Sequence, residues 1–272
     1  MNRQIGLGKT MNKQARIATL DIETAPILAY VWGLFKQFVG LNQIVQDWSI
    51  LSFSHKWLGE KKVYHSNTGG RGVDKVRDDT ELMHLLWAIL DEADIIIAQN
   101  GVKFDIKKIN ARFIQLGLPP PTPYRVVDTL LEARKIASFT SGKLAWLSEV
   151  LTDTPKSTHK NFPGFELWTA CLADNPLAWK EMKKYNDIDI VATEGVYLKL
   201  RPYMIGHPNV AAYNDDVTPQ CPKCGSAKLQ KRGLALTQTG SYHRYKCMDC
   251  GGWGRDRYTN NTLEKRQSLL SN

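Results

Sequence analysis

Asp21 and Glu23 flank Ile22 in the apolar stretch "RIATLDIET". On an extended strand, side chains at i and i+2 share a face, so the two carboxylates stand together while Leu20 and Ile22 turn the other way into a core. Carboxylates this close repel, and each raises the other's pKa unless a cation lies between them. Magnesium or manganese suits such a pair, because both prefer hard oxygen ligands. A strand with one face in water would carry the same pattern. A second group, Asn100-Gly101-Val102-Lys103-Phe104-Asp105, follows the apolar run "DIIIAQ" and opens a helix. Asp105 there is either an acid favoured by the helix dipole or a carboxylate at the strand end, where open α/β sheets place their sites. A third group lies in "KKYNDIDIVATEG". Met182, Tyr185, Asp189, Ala192 and Val196 recur at helical spacing, so Tyr185 and Asp189 stack one turn apart in an apolar stripe. Asp187 points nearly opposite, on a side shared with Lys180, Lys183 and Glu194 that reads as solvated. A carboxylate buried in the stripe needs a cation or a hydrogen-bond donor, and a structural Tyr–Asp contact would also serve.

The cysteines suggest a different chemistry. Four of the five form two Cys-x-x-Cys pairs, Cys221/Cys224 and Cys247/Cys250, and Cys171 stands alone as a helix or core thiol. This is a poor disulfide framework and a good closed tetrahedral site for one structural zinc ion in a reducing compartment. A segment this short has little core, so the metal should supply much of its folding energy. Basic and aromatic residues interleave around the cysteines, among them Arg244 and Trp253. Charge that tracks phosphates and rings that stack on bases suit single-stranded nucleic acid, whereas a protein-docking ribbon with solvated lysines is the competing reading.

The net charge of +9 is unevenly spread. Residues 1–16 carry +4, residues 217–272 carry +7 before zinc and its thiolates lower that to +5, and the middle carries −2. Basic ends point to a polyanion partner. No apolar run is long enough for a membrane span, and the N-terminus lacks the apolar core of a signal peptide, so a cytoplasmic protein with no membrane partner is expected. Either Met1 or Met11 suits the start. "GLGKT" lacks the glycine at Arg3 and the preceding strand that a phosphate loop needs.

These residues need elements to position them. "RIATLDIET" predicts a strand, and "SILSFSHKWL", a turn at Gly59-Glu60 and "KKVYHSN" predict two more. "DDTELMHLLWAILDEAD" predicts a helix opened by N-cap acids. "DIIIAQN" is a buried strand, "DIKKINARFIQLG" a helix ended by Gly117, "RVVDT" a strand feeding the helix "LLEARKIA", and "KLAWLSEVL" a further helix. Residues 152–166 read as a loop, and a long helix follows Pro176 to about Tyr203. His55, His65 and His84 show no ligand spacing and read as ordinary strand or helix histidines. The order predicts an α/β fold, a ribonuclease H-like mixed sheet flanked by helices, with a small C-terminal zinc ribbon. The expected organisation is a flexible basic arm at 1–15, the α/β domain at 16–206, a linker at 207–219, the ribbon at 220–258 and a flexible tail at 259–272.

Taken in order, Asp21-x-Glu23, Asn100-Gly-x-x-Phe-Asp105 and Tyr185-x-x-x-Asp189 resemble the three motifs of the DEDD exonuclease superfamily over about residues 15–205. The tyrosine is similar to that of the DEDDy branch, which includes the proofreading domains of DNA polymerases. The resemblance implies a two-metal 3′→5′ exonuclease that releases nucleoside 5′-monophosphates. Asp21, Glu23 and Asp189 would hold the magnesium or manganese that activates water, and Asp21 the second ion with Asp105 contributing. Tyr185 would orient the water. Asn100, Phe104, Lys156 and His159, with Lys160 nearby, are candidate substrate contacts; Asn100 could instead hold its loop, Phe104 suits a core better than a base-stacking wedge, and a solvated loop suits Lys156, His159 and Lys160 better than phosphate contacts. The expected partner is nucleic acid, single-stranded DNA ahead of RNA, in replication proofreading, repair or end-trimming. No polymerase palm is seen, so a separate DNA polymerase is a possible second partner. An exoribonuclease, a nucleic-acid-binding protein without catalysis and a transposase-like endonuclease are the alternatives.

Overall fold

The protein is described by a computed structural model over residues 14–154 and 159–271. Most of the basic arm, together with Lys156, lies outside the described residues. Residues 16–199 form one compact unit and residues 200–271 another.

The first unit is built on a mixed five-stranded sheet in the order β5-β4-β1-β6-β7. Strand β1 (Ile17–Thr24) pairs antiparallel with β4 (Ile50–Trp57), which pairs antiparallel with β5 (Tyr64–Asn67). On its other side β1 runs parallel to β6 (Ile95–Ala98), and β6 runs parallel to β7 (Arg125–Asp128). A separate two-stranded ribbon, β2 (Leu28–Ala29) with β3 (Ile44–Gln46), lies between β1 and β4 in the chain.

Burial sorts the two faces of the sheet. Ala18, Leu20 and Ile22 of β1 join Phe53 and Trp57 of β4 in a core with α1 (Thr80–Glu92) and α2 (Asp105–Gln115). The opposite face carries Ser52, Ser54 and Lys56 of β4 at alternate positions. These meet α6 (Pro176–Leu200): Ser52 Oγ donates to Asn186 at 3.4 Å, Ser54 Oγ to Asp187 at 2.9 Å, and Lys56 Nζ to Glu194 at 2.5 Å. The Asp187 and Glu194 side of α6 is therefore not the solvated face that its lysines suggest. It packs on β4, and Asp187 also pairs with Lys183 one turn earlier. Ser54 donates to Asp187 and lies 2.8 Å from Nδ1 of His65. Burial depresses the pKa of His65 to about 4, and burial likewise depresses that of His55, which stacks on Tyr64 with 5.1 Å between ring centroids.

Three short helices complete this unit, α3 (Thr129–Ile136), α4 (Leu144–Leu151) and α5 (Glu166–Leu172). Cys171 is buried with Leu167, Trp179 and Met182 where α5 meets α6, and burial pushes its thiol up to about 12. The two acids before α1 divide the work: Asp78 accepts the Thr80 N–H at 3.1 Å and the Thr80 hydroxyl at 2.7 Å, as expected of an acid that opens a helix. Asp79 holds the N-cap position without capping. Its buried carboxylate instead accepts from Ile50 N–H at 2.8 Å and from the Arg112 guanidinium at 2.5 and 2.8 Å, tying β4 to both helices.

The second unit holds a three-stranded antiparallel sheet, β10-β9-β8, made of β8 (Leu229–Leu236), β9 (Ser241–Cys247) and β10 (Trp253–Arg255). The expected linker is partly structured here. Val210 is buried, begins a 3-10 turn and donates its N–H to Pro222 O at 2.9 Å. The expected tail contains α7 (Leu263–Ser268), capped by the Thr262 hydroxyl. Among the described residues, no helix is long and apolar enough to cross a membrane.

Candidate active site and metal centres

Oxygens of Asp21, Glu23 and Asp189 lie within 4.8 Å of one another. The alternation of β1 places its two acids on the α6 face, and α6 brings Asp189 across to meet them. Asp189 is buried, while Asp21 and Glu23 are half-buried. Three carboxylates in so small a space repel strongly unless a cation joins them. Their hard oxygens fit magnesium or manganese, so this triad can hold a metal.

Asn186, which the sequence reading passed over, stands between the strands and the triad. It is fully buried and donates its amide to Asp21 Oδ2 at 2.5 Å while accepting from Ser52. The signal for it was present: Asn186, Ile190, Thr193 and Tyr197 form a second buried stripe on α6 beside the expected one.

Asp105 lies outside the triad. Its carboxylate is buried and accepts the N–H of Ile22, the residue between the two β1 acids, at 3.2 Å. Burial pushes its pKa up to about 7 and the charge of Asp128 adds to that, while the Ile22 N–H and its own N–H pull it down. Phe104, just before it, is 39 % exposed and so is not a core residue. Asn100 occupies the left-handed region at φ 61°, and a Cβ on Gly101 would stand 2.4 Å from the Ala98 Cβ, so this turn needs its glycine.

Asp128 locks the same turn, and the sequence reading missed it too. Its buried carboxylate accepts from the N–H groups of Asn100, Val102, Leu130 and Leu131 at 3.0–3.2 Å, capping α3 and holding the turn at once. Beside Asn100 opens a cleft of about 580 Å³ that Arg134 and Lys143 also line.

Tyr185 sits one turn before Asp189, half-buried in a ring cluster. The His159 ring meets it edge-on at 5.2 Å and the Trp168 ring at 6.1 Å. His159 also bonds Phe162 O through Nδ1 at 2.6 Å, so it buttresses the tyrosine.

In the second unit, the sulfurs of Cys221, Cys224, Cys247 and Cys250 lie within 4.8 Å of one another. Cys221 and Cys250 are 3.6 Å apart, as are Cys224 and Cys247. The tetrahedron defined by Zn–S bonds of about 2.3 Å has S···S edges of roughly 3.8 Å. These two edges thus approach that length, and the four thiols suit a single zinc ion. Each pair is closed by a left-handed glycine directly after its second cysteine, Gly225 at φ 76° and Gly251 at φ 75°. On this unit the Arg244 guanidinium lies over Trp253 at 4.7 Å and Arg255 over Tyr242 at 3.9 Å.

No family model matches the chain. The chain is similar to a PolC-type DNA polymerase III of Ureaplasma parvum serovar 3, at 26 % identity over 209 residues, which is 70 % of this chain and 13 % of that protein. Among solved structures it resembles a family B DNA polymerase of the archaeon Pyrobaculum calidifontis, with a TM-score of 0.46 and 15 % identity over 70 % of this chain and 26 % of that one. The chain thus spans a minor part of each polymerase it matches, and the sequence similarity is to a DNA-replicating enzyme.

Proposed function

We propose that the first unit is a ribonuclease H-like 3′→5′ exonuclease of the DEDDy kind, acting on single-stranded DNA ahead of RNA. The observation that carries this is the convergence of Asp21, Glu23 and Asp189 within 4.8 Å, with Tyr185 one helical turn away. The strand order, antiparallel on one side of β1 and parallel on the other, supports the fold assignment.

Two divalent cations, when bound, would supply Lewis acids to the attacking and leaving oxygens of an in-line displacement at phosphorus. The chain's own residues do the positioning. Asp21, Glu23 and Asp189 hold the cation site, and Asn186 fixes the orientation of Asp21. Asp105 holds the strand backbone between the two β1 acids through Ile22 N–H. The Tyr185 hydroxyl orients the water by hydrogen bonding. Arg134 and Lys143, in the cleft beside Asn100, are placed to meet backbone phosphates. The basic, ring-bearing second unit, folded around zinc, adds affinity for the strand.

A magnesium-dependent digestion of end-labelled single strands tests the reading. Mononucleotides should leave from the 3′ end, and Asp21→Ala should abolish the release. No release by the unaltered protein, or equal release by Asp21→Ala, would refute it. Matched DNA and RNA strands in the same assay decide the sugar.

A further inference from the structure

Three residues after Glu23 the chain leaves the sheet on an arm that returns at Asp47. Its base is fixed. One guanidinium, that of Arg77, donates to Pro26 O at 3.0 Å and to Asp47 O at 3.1 Å, clamping both ends. The β2–β3 ribbon continues outward, and Tyr30 and Gln43 exchange bonds at 3.0 and 2.9 Å above it. Beyond this point the arm is apolar and bare. Trp32 is 98 % exposed, Phe38 97 %, Leu34 89 %, Leu41 88 %, Phe35 85 % and Tyr30 77 %.

Bare rings on an anchored ribbon mark a surface made for a partner. Two observations select the partner. The arm issues from the end of the strand that carries Asp21 and Glu23, with its base at Pro26 only three residues past Glu23, so it leaves the unit on the side of the acids. Residues 25–46 contain one lysine, Lys36, and no acid, which suits a polyanion in a unit that otherwise has acids to spare. Resting on the exonuclease reading, we propose that this arm is the stacking platform for unpaired bases near the 3′ end of single-stranded nucleic acid, with Trp32 and Phe38 as its principal rings. Each stacked base adds affinity without sequence preference, because every base has a π-face. The aliphatic side chains between the rings suit insertion beside an unstacked base step.

The test is equilibrium binding of a single strand carrying 2-aminopurine near its 3′ end, with no magnesium or manganese added. Mononucleotide release is measured separately on the same preparations. Trp32→Ala/Phe38→Ala should bind about tenfold more weakly or worse and lose the stacking-dependent quenching. The slope of affinity against salt should not change, because no phosphate contact is removed. Release should slow at low strand concentration and recover at saturation. Trp32→Phe should restore most of the binding, which a folding defect would not allow. Wild-type affinity and quenching in the double variant would overturn the proposal while leaving the exonuclease reading intact. Wild-type binding in that variant, together with a dimer that only the unaltered protein forms, would reassign the arm to a second copy of the chain. Ring-dependent binding without any mononucleotide release would instead uphold the platform and remove the exonuclease.

Discussion

Replacing Asp189 with Asn should stabilise the metal-free protein and at the same time destroy its response to metal. At 4.8 Å and an effective dielectric of about 20, each pair of unit charges repels by about 3.5 kcal/mol, and in bulk water by about 0.9 kcal/mol. The triad lies between these limits, because Asp189 is buried but Asp21 and Glu23 are half-open to solvent. Neutralising Asp189 removes two of the three pairs. Against that gain stands the poorer fit of an amide in the place of a carboxylate, and with the open side of the triad screened by solvent the net stabilisation is about 1–2 kcal/mol. For a unit of this size that is about 2–8 °C in Tm. Asp187→Asn is the control. It weakens the contacts with Lys183 and Ser54, costs about 0.5–1.5 kcal/mol and leaves the triad untouched. Calorimetry with and without added manganese, on protein that keeps its zinc, reads both effects. The unaltered protein and Asp187→Asn should gain Tm with manganese and keep most mononucleotide release, whereas Asp189→Asn should gain nothing and lose nearly all release. A metal-free Tm for Asp189→Asn below that of the unaltered protein, or a manganese shift equal to it, would refute the argument that the three acids form one cation site.

Asp128→Ala strips acceptors from four backbone N–H groups and should lower stability by roughly 2–4 kcal/mol, read by denaturant unfolding of the first unit. Asp128→Asn, which keeps one acceptor oxygen, should cost less. His55 has a folded pKa of about 4 against 6.5 for the free side chain, so its contribution is full above about pH 6.5 and is lost as pH falls toward 4. The loss reaches at most about 2 kcal/mol at pH 5. His55→Phe keeps the ring on Tyr64, and the difference in unfolding free energy between it and the unaltered protein should change by that amount between pH 7 and pH 5; a pH-independent difference would show that His55 does not titrate differently on folding. Cys224→Ser should release zinc, unfold the second unit and flatten the salt dependence of nucleic-acid binding, while the manganese response of the first unit persists.

How far the sequence carried depends on whether a neighbour within the same element or a neighbour from another one decides the outcome. The placement of Asp21 and Glu23 followed from strand alternation alone, because Leu20 and Ile22 declare the core side within three residues. The knuckle cysteines were equally legible, since their spacing is itself the metal geometry. Asp187 was misread because a helical wheel sees only the lysines of α6. It cannot show that β4 offers Ser54 and Lys56 at the matching height, and three polar residues at alternate positions of a strand were the clue left unused. Asp128 was within reach of the strand–Asp–Thr–helix pattern, an ordinary N-cap signature. Its second task, holding the turn at Asn100, belongs to tertiary structure. Asp79 shows the reverse case: a cap by sequence position, taken over by Arg112 and Ile50 because a charged guanidinium reaching its buried carboxylate is a stronger partner than a local N–H. The arm carries no helix or strand period, and its apolar residues suggest burial, yet Arg77 holds it out in solvent.

On the proposed reading, the charge distribution gives these parts a division of labour. A site made of carboxylates is a poor place for a phosphodiester to approach, and residues 17–216 as a whole carry −2. Long-range attraction must therefore come from elsewhere, and residues 217–272 carry +7, or +5 with zinc and its thiolates. That attraction has no register along a strand, because phosphates repeat. Stacking on the Trp32 and Phe38 rings acts only at contact, so on the proposed reading it selects an unpaired end from the many phosphates the basic unit attracts. Cations held by Asp21, Glu23 and Asp189 would reverse the local sign of the field at the triad. Each contribution acts at a different distance, so each should fail differently: the first with salt, the second with loss of the rings, the third with loss of the acids.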